Sequence, residues 1–279
     1  MTNATNPAVQ IVYPEDGWIL QKLARLIIDG LPYVRASPGT PDTSRRWDIT
    51  YYVNYAMFRP RPGLGRLLGA TAKSRVSGAW FTHKESNVFE KGAHHLDFAI
   101  CPCIQTVEMI RSLNRPAYLA YHGIDLERFT PKLRLGFVGR LYENHRKGEE
   151  LFDLVQRLPF VQLVCTNGRI PEAEMPDFYQ SIDYVLIASS AEGGPLCFQE
   201  GLASGKEIIS TSVGMVRDFA GAPGVHIFDR ENPATLVNLL TVLYEKRLAL
   251  RQSIESYNEA YFVKRHDEVF REIVKVRKF

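Results

Sequence analysis

The second half of the chain alternates short apolar runs with helical patterns, and this alternation restricts the possible folds more than any other feature. The apolar runs have the length of buried strands and lie at 133–138, 161–165, 184–187 and 207–210. Helical spacing follows them, with helices predicted over 147–158, 175–181, 196–204, 233–248 and 253–274. Strands and helices that alternate in this way form parallel sheets with crossover helices. The sequence therefore predicts an α/β fold.

The first half shows the same alternation less regularly. Strands are predicted at 9–13, 49–53, 78–81, 98–100 and 117–120. Apolar residues at helical spacing predict a helix over 17–31, for which Asp16 is the candidate cap. Two prolines and two glycines make a loop of 58–65, and a short basic helix is predicted over about 64–75.

A length of 279 residues suits two domains of ordinary size. Their junction is predicted in the segment His122–Pro131, which is rich in turn residues and ends in a proline. The resulting division is a first domain over 1–128, a second domain over 129–255 and a C-terminal helix over 256–279. For that helix, packing back on the first domain is one option.

Composition excludes several classes of protein. A hydrophobic share of 45% with 23% charged residues indicates a folded globular chain. No apolar run approaches the roughly 18 residues of a membrane-spanning helix, and residues 1–7 do not resemble a secretory signal. We therefore expect a cytoplasmic protein, with peripheral membrane attachment left open. The cysteines at 101, 103, 165 and 197 lack the spacing of a zinc site and are expected to be reduced.

Charged residues and glycines follow the predicted strands of the second domain. Gly139 and Arg140 come after the strand at 133–138, and Lys147 precedes the next helix. Ligands of open parallel sheets bind beyond the carboxyl ends of the strands, where two cations can flank a diphosphate. Ordinary solvated charge around a loop explains either cation equally well.

The segment Glu192–Glu200 reads E-G-G-P-L-C-F-Q-E and joins a strand to a helix. Its two glycines allow close approach of a ligand to the backbone, and the unpaired N–H groups at the helix start favour a phosphate. One glutamate precedes the helix and the other lies about a turn inside it. They suit the hydroxyl groups on either side of a diphosphate, although a capping glutamate and a solvated one are an equally good explanation.

Residues 133–214 carry an ordered set of motifs that resembles the donor domain of retaining glycosyltransferases of family 4. The motifs are G-R at 139–140, K-G at 147–148, T-N-G at 166–168, I-P-E-A-E-M-P-D-F-Y at 170–179, D-Y-V-L-I-A-S-S from 183, the two glutamates with seven residues between them, and S-T-S-V-G ending at 214. The linker H-G-I-D-L-E-R-F-T-P is also similar. One departure is Gly205-Lys206-Glu207, where the family usually has a proline. The resemblance implies the GT-B fold, in which two Rossmann-like domains with mostly parallel sheets face each other across a cleft.

The resemblance also implies roles for individual residues. Arg140 and Lys147 would hold the donor diphosphate and stabilise the leaving group, Glu192 would contact the transferred sugar, and Glu200 would bind the ribose. The remaining donor-binding positions that it implies are Asn167, Gly168, Gly193, Gly194, Pro195 and Leu196. The implied reaction moves a sugar from a nucleotide-diphosphate sugar to an acceptor with retention of configuration. It requires neither a cofactor nor a metal, because cationic side chains and a helix dipole supply the electrostatic stabilisation.

The first domain would carry the acceptor site, and its resemblance to the family is faint. Phe81–Glu85 resembles the strand end at which family members present a histidine, so His83 is a catalytic candidate, with a surface histidine as the alternative. His122 is a weaker candidate, and His94 and His95 are expected to be solvated.

The stretch 17–84 holds 11 basic and 3 acidic residues, a local charge of +8. The basic residues proposed to face phosphates are Arg45, Arg46, Arg59, Arg61, Arg66, Lys73 and Arg75. Aromatic residues are interleaved with them at Trp47, Tyr51, Tyr52, Tyr55 and Phe58. An anionic membrane or a nucleic acid would suit this pattern, whereas core packing of the aromatics and a small saccharide acceptor remain open.

Two further functions remain open beside the transferase. A nucleotide-sugar epimerase of the same fold would alter the sugar without an acceptor. A non-catalytic module that binds nucleic acid or membrane would not depend on Glu192.

Overall fold

The computed structural model describes residues 6–58, 74–84 and 86–276. Contacts between residues divide the chain into two units. Unit 1 comprises Met1–Arg128 together with Ile254–Phe279, and unit 2 comprises Phe129–Ser253. The C-terminal segment from residue 254 onward thus belongs to unit 1. Of the basic residues proposed to face phosphates, Arg59, Arg61, Arg66 and Lys73 lie outside the described residues, as does most of the predicted helix at 64–75.

The described part of unit 1 contains a six-stranded sheet in the order β2-β1-β3-β4-β5-β6, with every neighbouring pair parallel. Its strands are β1 (Val9–Tyr13), β2 (Val34–Pro38), β3 (Trp47–Tyr52), β4 (Ser74–Trp80), β5 (Phe98–Cys101) and β6 (Ala117–Leu119). Its helices are α1 (Ile19–Gly30), α2 (Ser86–His95), α3 (Ile104–Ser112) and α8 (Glu259–Val276). The helix α8 contacts both α1 and β3.

Two apolar clusters cover the two faces of this sheet. One contains Leu23, Ala24 and Ile27 of α1 with Phe262 and Phe270 of α8. The other joins strand residues such as Ala79 and Ala99 to Phe89 of α2 and to Val107 and Ile110 of α3. All five positions of β1 are buried, including Gln10, as expected for a parallel strand covered on both faces.

The described part of unit 2 contains a five-stranded parallel sheet in the order β11-β10-β9-β7-β8. Its strands are β7 (Leu133–Phe137), β8 (Val161–Cys165), β9 (Tyr184–Ile187), β10 (Glu207–Ser210) and β11 (Val225–Ile227). Its helices are α4 (Phe152–Gln156), α5 (Met175–Ser181), α6 (Leu196–Ala203) and α7 (Ala234–Ala249). The loops after β7, β8, β9 and β10 all start at one edge of the sheet, where polar residues of different loops can meet.

The predicted α/β class with parallel sheets is confirmed, and several predicted element boundaries are wrong. A helix was expected over 147–158, but Gly148 has a left-handed φ of 86°. A residue in that conformation cannot continue a helix, so a 3₁₀ turn at Glu149–Leu151 leads into the short α4. Ser74 and Arg75, placed at the end of a basic helix, instead begin β4.

The first and last helices also begin later than predicted. Helix α1 starts at Ile19 with Trp18 in the cap position, and Asp16 accepts a hydrogen bond from the Trp18 N–H at 3.0 Å. Asp16 is therefore not the cap residue. Helix α8 starts at Glu259 rather than 253, because the Asn258 side chain accepts from the Tyr261 N–H at 2.9 Å and so caps it. Strands β2 and β11 and helices α2 and α3 were not predicted.

Four of the five interleaved aromatic residues of unit 1 are core residues, and Phe58 is partly buried. Trp47, Tyr51, Tyr52 and Tyr55 are at most 3% exposed, so these rings cannot stack on the bases of a nucleic acid. These aromatics alternate with arginines because buried strands that carry aromatics lie next to exposed loops that carry arginines. Among the described residues, no helix has both the length and the apolar character needed to cross a bilayer.

Candidate active site

The loops that follow β7 and β8 are joined at the carboxyl edge of the unit 2 sheet. The Thr166 hydroxyl accepts a hydrogen bond from the Gly139 N–H at 3.0 Å, and the Thr166 N–H donates to the Phe137 carbonyl at 3.0 Å. The side chain of Arg140 packs over Gly168, since a Cβ at that glycine would lie 2.6 Å from Arg140 Cγ. The G-R and T-N-G motifs therefore form one continuous wall.

Gly148 brings Lys147 to this wall. A Cβ at Gly148 would lie 2.4 Å from both the Cβ and the carbonyl oxygen of Ala188, directly after β9. Close packing together with the left-handed φ explains why a glycine follows the lysine. The ammonium of Lys147 then lies beside Gly139, where an added Cβ would be 3.9 Å from Nζ.

Lys147 and Glu192 form an ion pair with 2.5 Å between Nζ and Oε1. The Ser189 hydroxyl donates to the same Oε1 at 2.9 Å, and Arg146 approaches it at 3.7 Å. The side chains of Lys147 and Glu192 are 16% and 12% exposed. Burial alone would raise the pKa of Glu192, but hydrogen bonds from Lys147 and Ser189 and the charges of Lys147 and Arg146 lower it below its usual value. Glu192 is therefore ionised at neutral pH.

The loop 192–195 packs against the last of the motifs and presents the start of α6. Gly214 has a φ of 47°, and a Cβ there would lie 2.1 Å from the Gly193 carbonyl oxygen. That same carbonyl accepts from the Met215 N–H at 2.9 Å. Pro195 occupies the cap position, and within the described residues no side chain caps the helix. The first residue, Leu196, is 64% exposed, so the helix start faces outward.

Glu200 lies one turn inside α6 and is held by a tyrosine of α5. The Tyr179 hydroxyl donates to Glu200 Oε2 at 2.5 Å. Tyr179 is 2% exposed, and burial together with the neighbouring carboxylate raises its pKa above the usual range. It therefore remains a hydrogen-bond donor at all physiological pH values.

Cys197 lies in the first turn of α6, and the charges of Lys147, Glu192 and Glu200 all influence the pKa of its thiol. Burial raises the pKa of this thiol to about 11, with Lys147 opposing and Glu192 and Glu200 adding to the shift. All three charged side chains thus act on one point in the first turn of the helix. Cys197 itself stays a neutral thiol, and an anion bound here would meet one ammonium and the positive end of the helix dipole.

The model of the family described as glycosyl transferases group 1 matches residues 124–261, which include all of unit 2. This protein is a glycosyltransferase. Comparison of its sequence with curated proteins gives no match.

Solved glycosyltransferase structures are similar to the chain at low identity. The lipopolysaccharide outer core galactosyltransferase WaaB, in its apo form, has 13% identity and a TM-score of 0.37, covering 95% of this chain and 99% of that one. HepE of Anabaena, in complex with UDP and glucose, has 11% identity, a TM-score of 0.35 and 98% coverage of both chains. The GtfA/B complex has 15% identity and a TM-score of 0.32, and the alignment covers 81% of this chain but 57% of that one. Similarity this low says nothing about the donor or the acceptor of this chain.

A cavity of about 600 Å³ lies at the carboxyl ends of β9, β10 and β11 in the glycosyltransferase domain. Ser189, Thr211, Asp229 and Arg230 are among the residues that line it. Of the described residues, none of the predicted donor-binding side chains lines this cavity. The charged cluster around Lys147 lies outside the lining of this cavity, and we place the candidate site at the cluster because the charges and the helix start coincide there.

His83 of the glycosyltransferase lies in unit 1, three residues after β4, and its ring is exposed. Its backbone is anchored, because its carbonyl accepts from the Tyr55 hydroxyl at 2.7 Å. The ring Nδ1 lies 3.0 Å from the Thr82 hydroxyl. His122 is different: its ring packs against Trp80, and burial lowers its pKa.

Arg45, Arg46 and Arg75 line a groove of about 620 Å³ with Ser44 and Ser74. The guanidinium of Arg45 stacks on the Trp47 ring at 3.7 Å, and Arg75 lies 3.6 Å from Asp48. Because Trp47 and Ser74 are the first residues of β3 and β4, this groove is at the amino-terminal edge of the unit 1 sheet. Ligands of open parallel sheets are bound at the opposite, carboxyl-terminal edge.

Carboxylates and a histidine also gather near Lys147. In the described ranges, His145, Glu149 and Glu150 bring potential metal-ligating atoms within 4.8 Å of one another. Glu149 accepts from the backbone N–H groups of Tyr142 at 2.7 Å and Lys147 at 3.0 Å, and Glu150 pairs with Arg230. Both carboxylates therefore already serve to hold the Lys147 loop.

The residues that hold the predicted site together are not among the predicted site residues themselves. Thr166, Tyr179, Ser189 and Gly214 all lie within the quoted motifs, but their partners come from other loops. Thr166, Ser189 and Gly214 follow the ends of strands, which is a signal in the sequence, whereas Tyr179 lies in helix α5. Pairing a hydroxyl with a given carboxylate nevertheless requires the packing of the helices, which the sequence does not show.

Proposed function

We propose that this glycosyltransferase binds a nucleotide-diphosphate sugar at the carboxyl edge of the unit 2 sheet and transfers the sugar with retention of configuration. The observation that carries the proposal is the coincidence of Lys147, Glu192, Glu200 and the start of α6. Retention is supported by the resemblance of residues 133–214 to family 4.

Arg140 and Lys147 would neutralise the diphosphate. As the bond between the anomeric carbon and the phosphate oxygen breaks, negative charge develops on the leaving nucleoside diphosphate. An ammonium and a guanidinium held beside the diphosphate would stabilise this charge more than they would stabilise the intact donor. The start of α6, with Gly193, Gly194, Pro195 and Leu196, adds a helix dipole of the correct sign. This electrostatic set is our reason for proposing that no metal or cofactor is required.

The two carboxylates would orient the ends of the donor. Glu192 is ionised, and its contacts with Lys147 and Ser189 are both made by Oε1, so its Oε2 is suited to accept from hydroxyls of the sugar. Glu200 would accept from the ribose, and Asn167 and Gly168 would border the base. His83 of unit 1 would contact the sugar or help to position the acceptor.

The acceptor is proposed to be anionic or to lie on an anionic surface. Arg45, Arg46 and Arg75 support this, and their groove is at the amino-terminal edge of the unit 1 sheet. A groove at that edge would bind the anionic part of the acceptor or an anionic surface. The acceptor hydroxyl that reacts would lie outside this groove. Binding to anionic vesicles and to single-stranded oligonucleotides, each over a salt series, would show which partner the groove selects.

A donor screen tests the proposed function. The protein is mixed with millimolar UDP-, GDP-, dTDP- and ADP-sugars with and without EDTA, and both the unfolding temperature and the release of nucleoside diphosphate are measured. We expect one donor to stabilise the protein and be cleaved, with EDTA making no difference and Glu200→Ala abolishing the stabilisation. Absence of any shift with all donors would contradict the proposal. NMR of the anomeric proton in the product would test retention.

A further inference from the structure

The Glu200 carboxylate has one oxygen engaged and one oxygen available. Tyr179 donates to Oε2 at 2.5 Å, and within the described residues no hydrogen bond to Oε1 is formed. A carboxylate held at one oxygen has little freedom to rotate, so the direction of the second oxygen is fixed as well. The preference of Glu200 for a particular ligand therefore depends on its tyrosine partner.

The tyrosine is itself rigid and can act only as a donor. Its ring is packed in an apolar cluster with Val185, Phe198 and Val216, and it is 2% exposed. Its pKa is raised by burial and by Glu200, so the phenol does not ionise. Its single proton is committed to Oε2, which leaves Oε1 as an acceptor that needs a hydroxyl from elsewhere.

We propose that Tyr179 is a positioning residue that makes the donor site select ribonucleotides over deoxyribonucleotides. This inference rests on the proposed function, in which Glu200 meets the ribose. A site built to accept from a hydroxyl rejects an analogue that lacks it, because the acceptor is then left without a partner in a partly desolvated place. Tyr179 maintains this selectivity by preventing Glu200 from turning toward other donors or toward solvent.

Glu192 provides a comparison within the same site. Ser189, which is 1% exposed, donates to Glu192 Oε1, and Lys147 contacts the same oxygen. Each carboxylate is thus held at one oxygen by a buried hydroxyl, but the two hydroxyls act at opposite ends of the donor. Removal of the Ser189 hydroxyl should affect recognition of the sugar and leave recognition of the ribose unchanged.

The test compares dissociation constants by calorimetry for UDP, GDP and ADP and for their 2′-deoxy and 3′-deoxy counterparts. For the wild type, we expect the dissociation constant of a deoxy form to be about tenfold or more above that of the matching ribonucleotide, for at least one nucleotide. The ratio of these two dissociation constants measures the selectivity. In Tyr179→Phe this ratio should fall to within about threefold. Tyr184→Phe is the matched control, because it removes another buried phenol of unit 2 that is outside the site, and it should keep the wild-type ratio. Ser189→Ala should keep it as well.

The outcomes separate the two proposals. If none of the nucleotides binds the wild type, the donor site and the role of Tyr179 are both overturned. If the wild type binds ribo- and deoxyribonucleotides equally well, or if folded Tyr179→Phe keeps the full ratio, the donor site stands and the role of Tyr179 is overturned. If Tyr179→Phe does not fold, Glu200→Gln changes the acceptor of the same hydrogen bond and serves as the second test. The glutamine carbonyl oxygen can still accept from Tyr179, which turns the amide NH2 toward the ribose hydroxyl and removes the acceptor there. The ratio should therefore fall to within about threefold, and an unchanged ratio would contradict the inference.

Discussion

The two units place their charged residues at opposite edges of similar parallel sheets. In unit 2, residues that follow β7 and β9 meet at the carboxyl edge, and Lys147 and Glu192 form a largely buried ion pair there. In unit 1, the arginines gather at the amino edge, and the aromatics between them are buried. The charged residues next to strands thus form the proposed donor site in unit 2, and in unit 1 they line the groove proposed to hold an anionic partner.

The difference between the units indicates which sequence patterns predict a functional site. Charged residues and glycines after successive strands converge, since the loops of a parallel sheet share one edge. Alternating basic and aromatic residues do not converge in the same way, because a buried strand and its exposed loop give the same pattern. Substitutions in each unit can test whether function is confined to the first kind of pattern.

The largest effect is expected at Lys147. Substitution by alanine should lower kcat/KM for sugar transfer by about 100- to 1000-fold, because a preorganised cation at the developing charge is lost. Steady-state kinetics with the donor found by the screen would measure it. Lys246→Ala, at an exposed lysine of the same unit, should remain within about twofold of wild type. A loss of less than threefold for Lys147→Ala would show that the ion pair with Glu192 is only structural.

A smaller effect is expected from His266 in the core of unit 1, and it concerns the stability of the protein rather than sugar transfer. The fully buried ring of His266 packs against Trp80 and Tyr51, and its Nδ1 lies 2.8 Å from the Phe262 carbonyl. Burial, with a smaller contribution from the charge of Arg265, lowers its pKa to about 4. The unfolded state binds the proton near pH 6.5 and the folded state only near pH 4, so stability is lost as the pH falls through this window. About 2.5 pH units correspond to about 3 kcal/mol in the free energy of unfolding.

Urea unfolding at pH 7, 5.5 and 4, followed by tryptophan fluorescence, measures this loss. His266→Gln should have a flatter pH dependence, whereas the exposed His94→Gln should follow the wild type. An equal slope in His266→Gln would mean that other groups of the protein cause the acid sensitivity.

The smallest effect is expected at His83, the catalytic candidate of unit 1. The ring is exposed and bonded to Thr82, so it is suited to positioning rather than to proton transfer. His83→Ala should reduce transfer about tenfold, less than the 10²- to 10⁴-fold that general acid–base catalysis contributes. His94→Ala is the control at an exposed site of the same unit. A loss beyond 100-fold would place a catalytic group in unit 1 and remove the contrast between the units.

Much of unit 2 could be predicted from its sequence. The strands at 133–137, 161–165 and 184–187 and helix α5 were predicted to within a residue or so, and the structure brings Lys147 beside Glu192. What escaped prediction was the break at Gly148, because a lysine and a glycine before apolar residues at helical spacing look like the start of a helix. The hydroxyls of Tyr179 and Ser189 also escaped it, since each acts on a carboxylate through tertiary packing.

Unit 1 was harder to predict for a physical reason. Strand β2 reads V-R-A-S-P with only its first and fourth positions buried, so it lacks the apolar run that identifies β1. Helices α2 and α3 are short, and α2 is rich in polar residues, which weakens their periodic signal. The burial of Trp47 and Tyr51 depends on helices packed over both faces of the sheet, which local sequence does not report.

Hydrogen exchange with mass spectrometry tests most directly the claim that unit 2 holds the donor. The protein would be saturated with the nucleoside diphosphate that raises its unfolding temperature most, and amide protection compared with and without it. We predict new protection in peptides that cover 139–148 and 189–200, and none in peptides that cover 42–48 beside the arginine groove. A saturated protein in which 139–148 and 189–200 exchange as fast as before would contradict the account.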